Sequence, residues 1–316
     1  MAELKAHQTN DEKFKHPFLT LDGKKRGWVE LNQLSILWFN TGTLCNITCR
    51  NCYIESSPKN DQLVYLKYDE ILTFLKEIET QKLPTHTIGL TGGEPFMNPD
   101  IMAILEAILK RGFKLLVLTN AMRPMMRHCA NLKKLQQLYY DQLTLRVSID
   151  HYHKEIHESE RGTRSWDSMF KGISWLFEEK FQVHVATRSF IDEDEDSIRR
   201  GFERFFAKHN FDIDAFNKEQ LVVFPEMEKT SDVPEITTEC WNILNVNPND
   251  IMCATSRMVV KQKGDAKPSV MACTLLAYDQ RFNMGKNLKE ASQKIYLNHP
   301  FCSKFCVLGG GSCSAS

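Results

Sequence analysis

Residues 34–53 read LSILWFNTGTLCNITCRNCY, and residues 85–95 read THTIGLTGGEP. In each, a short apolar run feeds directly into a turn built of polar residues or glycine. Apolar runs of this length suit buried strands. Reactive residues just past a strand end are the habit of α/β folds, whose loops at the strands' C-terminal ends carry the chemistry. The first stretch puts Cys45, Cys49 and Cys52 on one loop in a C-x-x-x-C-x-x-C spacing. The second puts Gly92, Gly93 and Glu94 in the corresponding place after the next strand.

Working outward, the strand–helix rhythm continues. Residues 68–81 place Ile71, Leu72, Leu75 and Ile78 on one helical face. A helix over 99–111, closed by Gly112, leads to a strand at 113–118. Then follow a helix over 122–138, a strand at 143–150 and a helix over 165–180 carrying Trp166, Met169, Phe170, Ile173 and Phe177. A strand at 181–190, a helix over 194–209 and a strand at 221–227 complete six strand–helix units, the last without a firm helix. Apolar strands alternating with helices imply a parallel sheet covered by helices. The expected fold is therefore α/β, a partial (β/α)6 barrel of the TIM type over 34–228. Residues 1–33, polar and mixed, read as an N-terminal extension. Beyond 228 the rhythm breaks, and 229–316 reads as a small cysteine-rich C-terminal domain.

The chain has 316 residues, 42% hydrophobic and 25% charged, with 40 basic and 40 acidic side chains. That balance gives no global field toward nucleic acid or a membrane surface. No apolar run has the length of a signal peptide or a membrane span, so the expectation is a cytoplasmic protein with no membrane or nucleic-acid partner. Ten cysteines are many for that compartment. Clustered cysteines there more often mean metal ligands or redox chemistry than disulfides. Three fall at 45–52 and five in the tail, at Cys253, Cys273, Cys302, Cys306 and Cys313; only Cys129 and Cys240 stand apart.

Zinc sites usually pair one C-x-x-C unit with a distant second pair, and the barrel offers no obvious second pair. Three tight thiolates suit an iron–sulfur cluster. With three ligands nearby, one iron keeps a position for a non-protein ligand, unless a fourth comes from elsewhere in the fold. His151, His153 and His157 invite a metal reading, against which stands the plainer one of loop or helix-start histidines. Cys129 and Cys240 read as packing or surface thiols.

Cys45, Cys49 and Cys52, followed by Tyr53, together with Thr91-Gly92-Gly93-Glu94-Pro95 after the next strand, resemble the radical S-adenosylmethionine superfamily over about 34–227. The resemblance implies that the three cysteines hold a 4Fe–4S cluster whose fourth iron is chelated by the amino and carboxylate groups of S-adenosylmethionine. It implies that Gly92, Gly93 and Glu94 hold the amino group, Ser148 and Asp150 the ribose, and Arg188 the carboxylate. The backbone around Val222 would meet the adenine. Asn51 departs from the aromatic or His residue usual before the third cysteine, leaving the adenine edge to Tyr53 or to Asn51 itself. One electron from the reduced cluster would break the sulfonium–carbon bond, and the resulting 5′-deoxyadenosyl radical would take a hydrogen atom from the substrate. An external electron donor such as flavodoxin or ferredoxin is implied.

The tail stretches CTLLAYDQRFNMG (273–285) and NLKEA (287–291), with FCSKFC and the final GGGSC, resemble the SPASM or twitch auxiliary-cluster domains of that superfamily. A second, auxiliary iron–sulfur cluster on Cys253, Cys273, Cys302 and Cys306 is then expected, with Cys313 as the other available ligand; a zinc knot or free thiols is the alternative. Such tails imply a peptide or a small metabolite as substrate. The competing class is a non-catalytic iron–sulfur or zinc protein for electron transfer or interaction, which has no need of an amino-group loop.

Overall fold

A computed structural model describes residues 12–190, 193–225 and 232–311. Its strands are β1 (Trp28–Val29), β2 (Ile36–Asn40), β3 (Thr87–Thr91), β4 (Lys114–Thr119), β5 (Leu143–Ser148), β6 (Gln182–Arg188), β7 (Leu221–Phe224), β8 (Ser256–Val260), β9 (Ser269–Met271) and β10 (Ile295–Tyr296). Its helices are α1 (Tyr68–Gln81), α2 (Ile101–Leu109), α3 (Arg123–Met126), α4 (Cys129–Tyr139), α5 (Lys154–Arg161), α6 (Ser165–Glu178), α7 (Glu195–His209) and α8 (Cys240–Ile243).

Strands β2 to β7 pair in parallel and in chain order, as the alternating rhythm requires. Side chains alternate across them. Leu37, Phe39, Leu115, Val117, Leu145 and Val147 face the helices and share one core with Phe74, Ile104, Ile173 and Phe202. Trp38 points to the opposite face and is fully buried. It explains the glycine inside β3: a Cβ at Gly89 would lie 2.3 Å from the Trp38 ring. Truncating a fully buried phenylalanine such as Phe202 to alanine would cost ~3–5 kcal/mol.

The helix ends follow ordinary capping chemistry. Glu70 of α1 accepts from the backbone N–H of Lys67 at 2.9 Å and also receives Lys261 Nζ at 2.6 Å. Asp194 caps α7 by accepting from Ser197 N–H at 2.8 Å.

Three features were not expected. The sheet has eight strands, because β8 runs parallel to β2, with Ile36 opposite Ser256, and β9 pairs antiparallel with β8. The tail therefore enters the same sheet as the barrel strands. The helix expected over 122–138 is two helices, α3 and α4, with His128 at the joint (φ −106°, ψ 10°). Helix α5 has no counterpart among the expected elements.

The N-terminal extension packs on the tail. Trp28 of β1 pairs with Tyr296 of β10, and buried Arg26 meets Glu235 at 2.6 Å. No helix among the described residues is long and apolar enough to cross a membrane.

Candidate functional site

At the C-terminal ends of the parallel strands lies one cavity of about 1130 Å³, its open mouth included. Cys45, Cys49, Cys52 and Tyr53 line it from the loop after β2, Gly92 and Gly93 from the turn after β3, Ser148 and Asp150 from the end of β5, and Arg188 from β6. Tail residues Leu275 and Phe305 close its wall. Nine of the expected site residues thus share one space. Two do not line it: Glu94 lies beneath the glycine turn, and β7 reaches the cavity at Phe224, two residues past Val222.

The two motif loops interlock through their backbones. Gly93 N–H donates to the Gly42 carbonyl at 2.8 Å, and Glu94 N–H to that of Leu44 at 3.2 Å. This approach demands glycine. A Cβ at Gly93 would lie 2.3 Å from the Leu44 carbonyl oxygen, and one at Gly92 (φ +140°) 2.5 Å from that of Gly42. The glycine turn therefore forms the floor on which the cysteine loop rests.

Glu94 is 1% exposed and both its carboxylate oxygens are engaged. Oε1 accepts from Phe96 N–H at 3.2 Å and Thr119 Oγ1 at 2.9 Å; Oε2 accepts from Asn120 N–H at 2.8 Å. Burial pushes its carboxyl up to about 7, with these donors pulling the other way. Glu94 thus braces the end of β4. Asn120, held there, donates from its side chain to Asn46 at 2.9 Å and lies 3.9 Å from Cys45 Sγ.

On the opposite wall, Asp150 is buried and meets Arg161 through both oxygens, at 2.9 and 3.0 Å, with Arg188 at 3.6 Å. Burial works against its charge, yet Arg161 and Arg188 together hold the carboxyl below the usual aspartate range. Arg188 also donates to the Asn51 carbonyl at 3.3 Å, and Asn51 Nδ2 donates to Glu160 at 2.9 Å. Glu160 and Arg161, the last two residues of α5, thereby join the cysteine loop to β5 and β6. Neither carries a sequence signal; the i,i+11 relation of Asp150 and Arg161 exists only through the fold.

The donor chemistry suits an iron–sulfur cluster. Burial pushes the Cys45 thiol up to about 12 and raises that of Cys49. Such thiols become thiolates when a metal displaces their protons. In a cluster each thiolate takes its own iron, so the sulfurs surround a volume. Among the described residues, no three His, Cys, Asp or Glu side chains converge on a single ion position. The same holds for the three histidines. His151 bonds Glu193 at 3.0 Å, and His157 is buried in α5, its ring pushed down to about 3 by desolvation with Arg161 adding to it. Cys129, 3.9 Å from Met126 Sδ, and Cys240, beside Thr237, lie outside the cavity lining.

In the tail, Cys253, Cys273 and Cys302 are buried in one apolar core, and Cys306 is half-buried at its edge. Burial raises the Cys302 thiol well above its ordinary value, and the nearby Cys273 and Cys253 add to this. Cys302 and Cys306 lie on one π-helical segment, Cys302–Leu308. Cys313 lies outside the described residues.

A parallel α/β sheet with three thiols and a glycine turn at one strand-end cavity defines the protein class. Residues 39–200 match the family model described as the radical SAM superfamily, and the chain belongs to that superfamily. The subtilosin biosynthesis protein AlbA of Bacillus subtilis is 30% identical over 148 residues, 46% of this chain and 31% of AlbA. GTP 3′,8-cyclase of Haemophilus influenzae (strain PittEE) is 28% identical over 168 residues, 52% of this chain and 46% of the cyclase. The chain thus matches less than half the length of these curated relatives. Among solved structures, Streptococcus suis SuiB bound to S-adenosylmethionine shares the fold at a TM-score of 0.58 and 14% identity, over 80% of this chain and 63% of SuiB. The structure of anSMEcpe with bound AdoMet does so at 0.56 and 14%, over 81% and 76%.

Proposed function

We propose that the protein is a radical S-adenosylmethionine enzyme acting on a peptide or a small metabolite, with a second iron–sulfur cluster in its tail. The observation that carries this reading is the meeting of Cys45, Cys49 and Cys52 with Gly92–Gly93, Ser148, Asp150 and Arg188 around one cavity.

Cys45, Cys49 and Cys52 would hold the 4Fe–4S cluster, with S-adenosylmethionine bound beside it. The bare backbone of Gly92 and Gly93 admits the cofactor's amino-acid end, and Arg188 supplies charge for its carboxylate. Ser148 and Asp150 hold the ribose hydroxyls. The adenine edge falls to Asn51, Tyr53 and the β7 end near Phe224. Leu275 and Phe305 keep water from the reacting centre. The bound cluster and cofactor together supply a 5′-deoxyadenosyl radical for hydrogen-atom abstraction. Flavodoxin or ferredoxin serves as the outside electron donor.

The auxiliary cluster is assigned to Cys253, Cys273, Cys302 and Cys306 in a SPASM- or twitch-like arrangement. A peptide substrate is favoured by two relatives: AlbA is named for bacteriocin biosynthesis, and SuiB has been solved bound to a precursor peptide, SuiA.

The test is spectroscopic. Anaerobically reconstituted, reduced protein should show a cluster signal with one component that changes on adding S-adenosylmethionine, and that component should be lost in the Cys45→Ala, Cys49→Ala, Cys52→Ala variant while the tail's remains. A signal indifferent to the cofactor overturns the reading.

A further inference from the structure

Arg257, the second residue of β8, is 1% exposed. Its guanidinium is wrapped in main-chain carbonyls. Nη1 donates to Cys253 at 2.6 Å and to Ser256 at 2.8 Å, Nε to Ala291 at 2.9 Å, and Nη2 to Gln293 at 3.2 Å. These bonds engage four of its five N–H groups but bring no negative charge. Arg26, Arg161 and Arg199, buried or nearly so, each meet a carboxylate, of Glu235, Asp150 and Glu195. Arg257 has no carboxylate at ion-pair distance among the described residues.

A guanidinium stays charged in a protein, and a buried charge without a counter-ion costs several kcal/mol. The groups beside it that can carry the opposite sign are cysteines, anionic once a metal displaces their protons. Arg257 Nη1 sits 2.6 Å from the Cys253 carbonyl, and Cys253 shares one buried core with Cys273 and Cys302. The cation therefore borders the buried core that holds these three cysteines.

We propose that Arg257 is the fixed counter-charge of the tail cluster and raises its reduction potential. This rests on the tail-cluster reading above. Four thiolates around a 4Fe–4S core of charge 2+ leave a net charge of about −2, and one-electron reduction makes it about −3. A fixed cation in a water-poor enclosure stabilises the more negative form more strongly. Arg257 thus biases the tail cluster toward accepting an electron. It is a tuning residue, acting through the cluster and touching no substrate.

The experiment uses full-length protein carrying Cys45→Ala, Cys49→Ala and Cys52→Ala, so that only the tail contributes iron. About four irons per chain should remain; if none remain with Arg257 intact, the tail-cluster reading fails and this proposal falls with it. In that background Arg257→Gln keeps N–H donors but removes the charge, whereas Arg257→Lys keeps the charge. The midpoint potential of the glutamine variant should fall by at least a tenfold change in the reduction constant, ~59 mV for one electron. The lysine variant should stay near the parent. A glutamine variant that loads iron and keeps the parent potential overturns the proposal. If the glutamine variant does not fold, a lysine variant that folds and keeps the parent potential supports a requirement for charge. Failure of both to fold shows that the carbonyl contacts alone matter, which overturns it.

Discussion

Asn51 donates from its side-chain amide to a carboxylate oxygen of Glu160 at 2.9 Å, and one residue earlier Arg50 N–H donates to the Glu160 carbonyl at 2.8 Å. The residue before the third cysteine is thereby tied to the end of α5. Replacing Glu160 by alanine removes the side-chain acceptor and leaves the backbone bond. Iron content should be unchanged, while affinity for S-adenosylmethionine should fall about tenfold, ~1.4 kcal/mol. Titration of the reconstituted variant checks this; an affinity within a factor of two of wild type would show the brace to be idle.

Gly93→Ala places a methyl group 2.3 Å from the Leu44 carbonyl oxygen. Backbone on both sides has nowhere to go, so the cysteine loop must shift off the glycine turn. The expected outcome is loss of cofactor binding together with reduced iron loading, measured as iron per chain and by cofactor titration. Wild-type values in both would mean that the two loops are not rigidly interlocked.

Glu94→Ala separates bracing from ligand binding. The substitution strands the N–H groups of Phe96 and Asn120 and the Thr119 O–H in a buried place, each worth ~1–3 kcal/mol. The iron-free protein should therefore lose about 3 kcal/mol of unfolding stability, read by denaturant titration. An unchanged apo stability with cofactor binding abolished would instead make Glu94 chiefly a ligand to the amino group.

What the sequence made legible follows from how local each signal is. Helix α1 and strands β3 to β7 lie at or near their expected places because their apolar periodicity is continuous. The cysteine triplet and the glycine turn were legible because each fits within one loop after one strand. Strand β8 was not, since joining β2 depends on a pairing across more than 200 residues that no periodicity encodes. Helix α5 is short and mostly polar, and only His157 and Glu160 are buried in it. Its last two residues complete the site, so Glu160 and Arg161 were missed together. Val222 does not line the cavity, whereas Phe224, two residues on and on the same face of β7, does.

Arg26 and Glu235 hold the N-terminal extension to the tail, and their contact titrates. Burial opposes the Glu235 charge, but the N–H groups of Leu21 and Phe14, with Arg26, hold its carboxyl below the ordinary 4.5. A carboxyl depressed in the folded state stabilises above the unfolded value, and that contribution is lost as pH falls from 4.5 through the lower folded value. Glu235→Gln should cost ~3 kcal/mol at pH 7, with the gap to wild type narrowing as pH drops below 4.5. Melting curves of both proteins across that window check the sign; a constant gap would remove the carboxylate from the account.

The central claim is that the cavity cleaves S-adenosylmethionine by one-electron chemistry at the Cys45–Cys49–Cys52 site. It is tested most directly by supplying reductant and S-adenosylmethionine to the anaerobically reconstituted protein and measuring 5′-deoxyadenosine. The account predicts 5′-deoxyadenosine from wild type and none above background from the Cys45→Ala, Cys49→Ala, Cys52→Ala variant. Equal amounts from both, or none from an iron-loaded wild type, would contradict it.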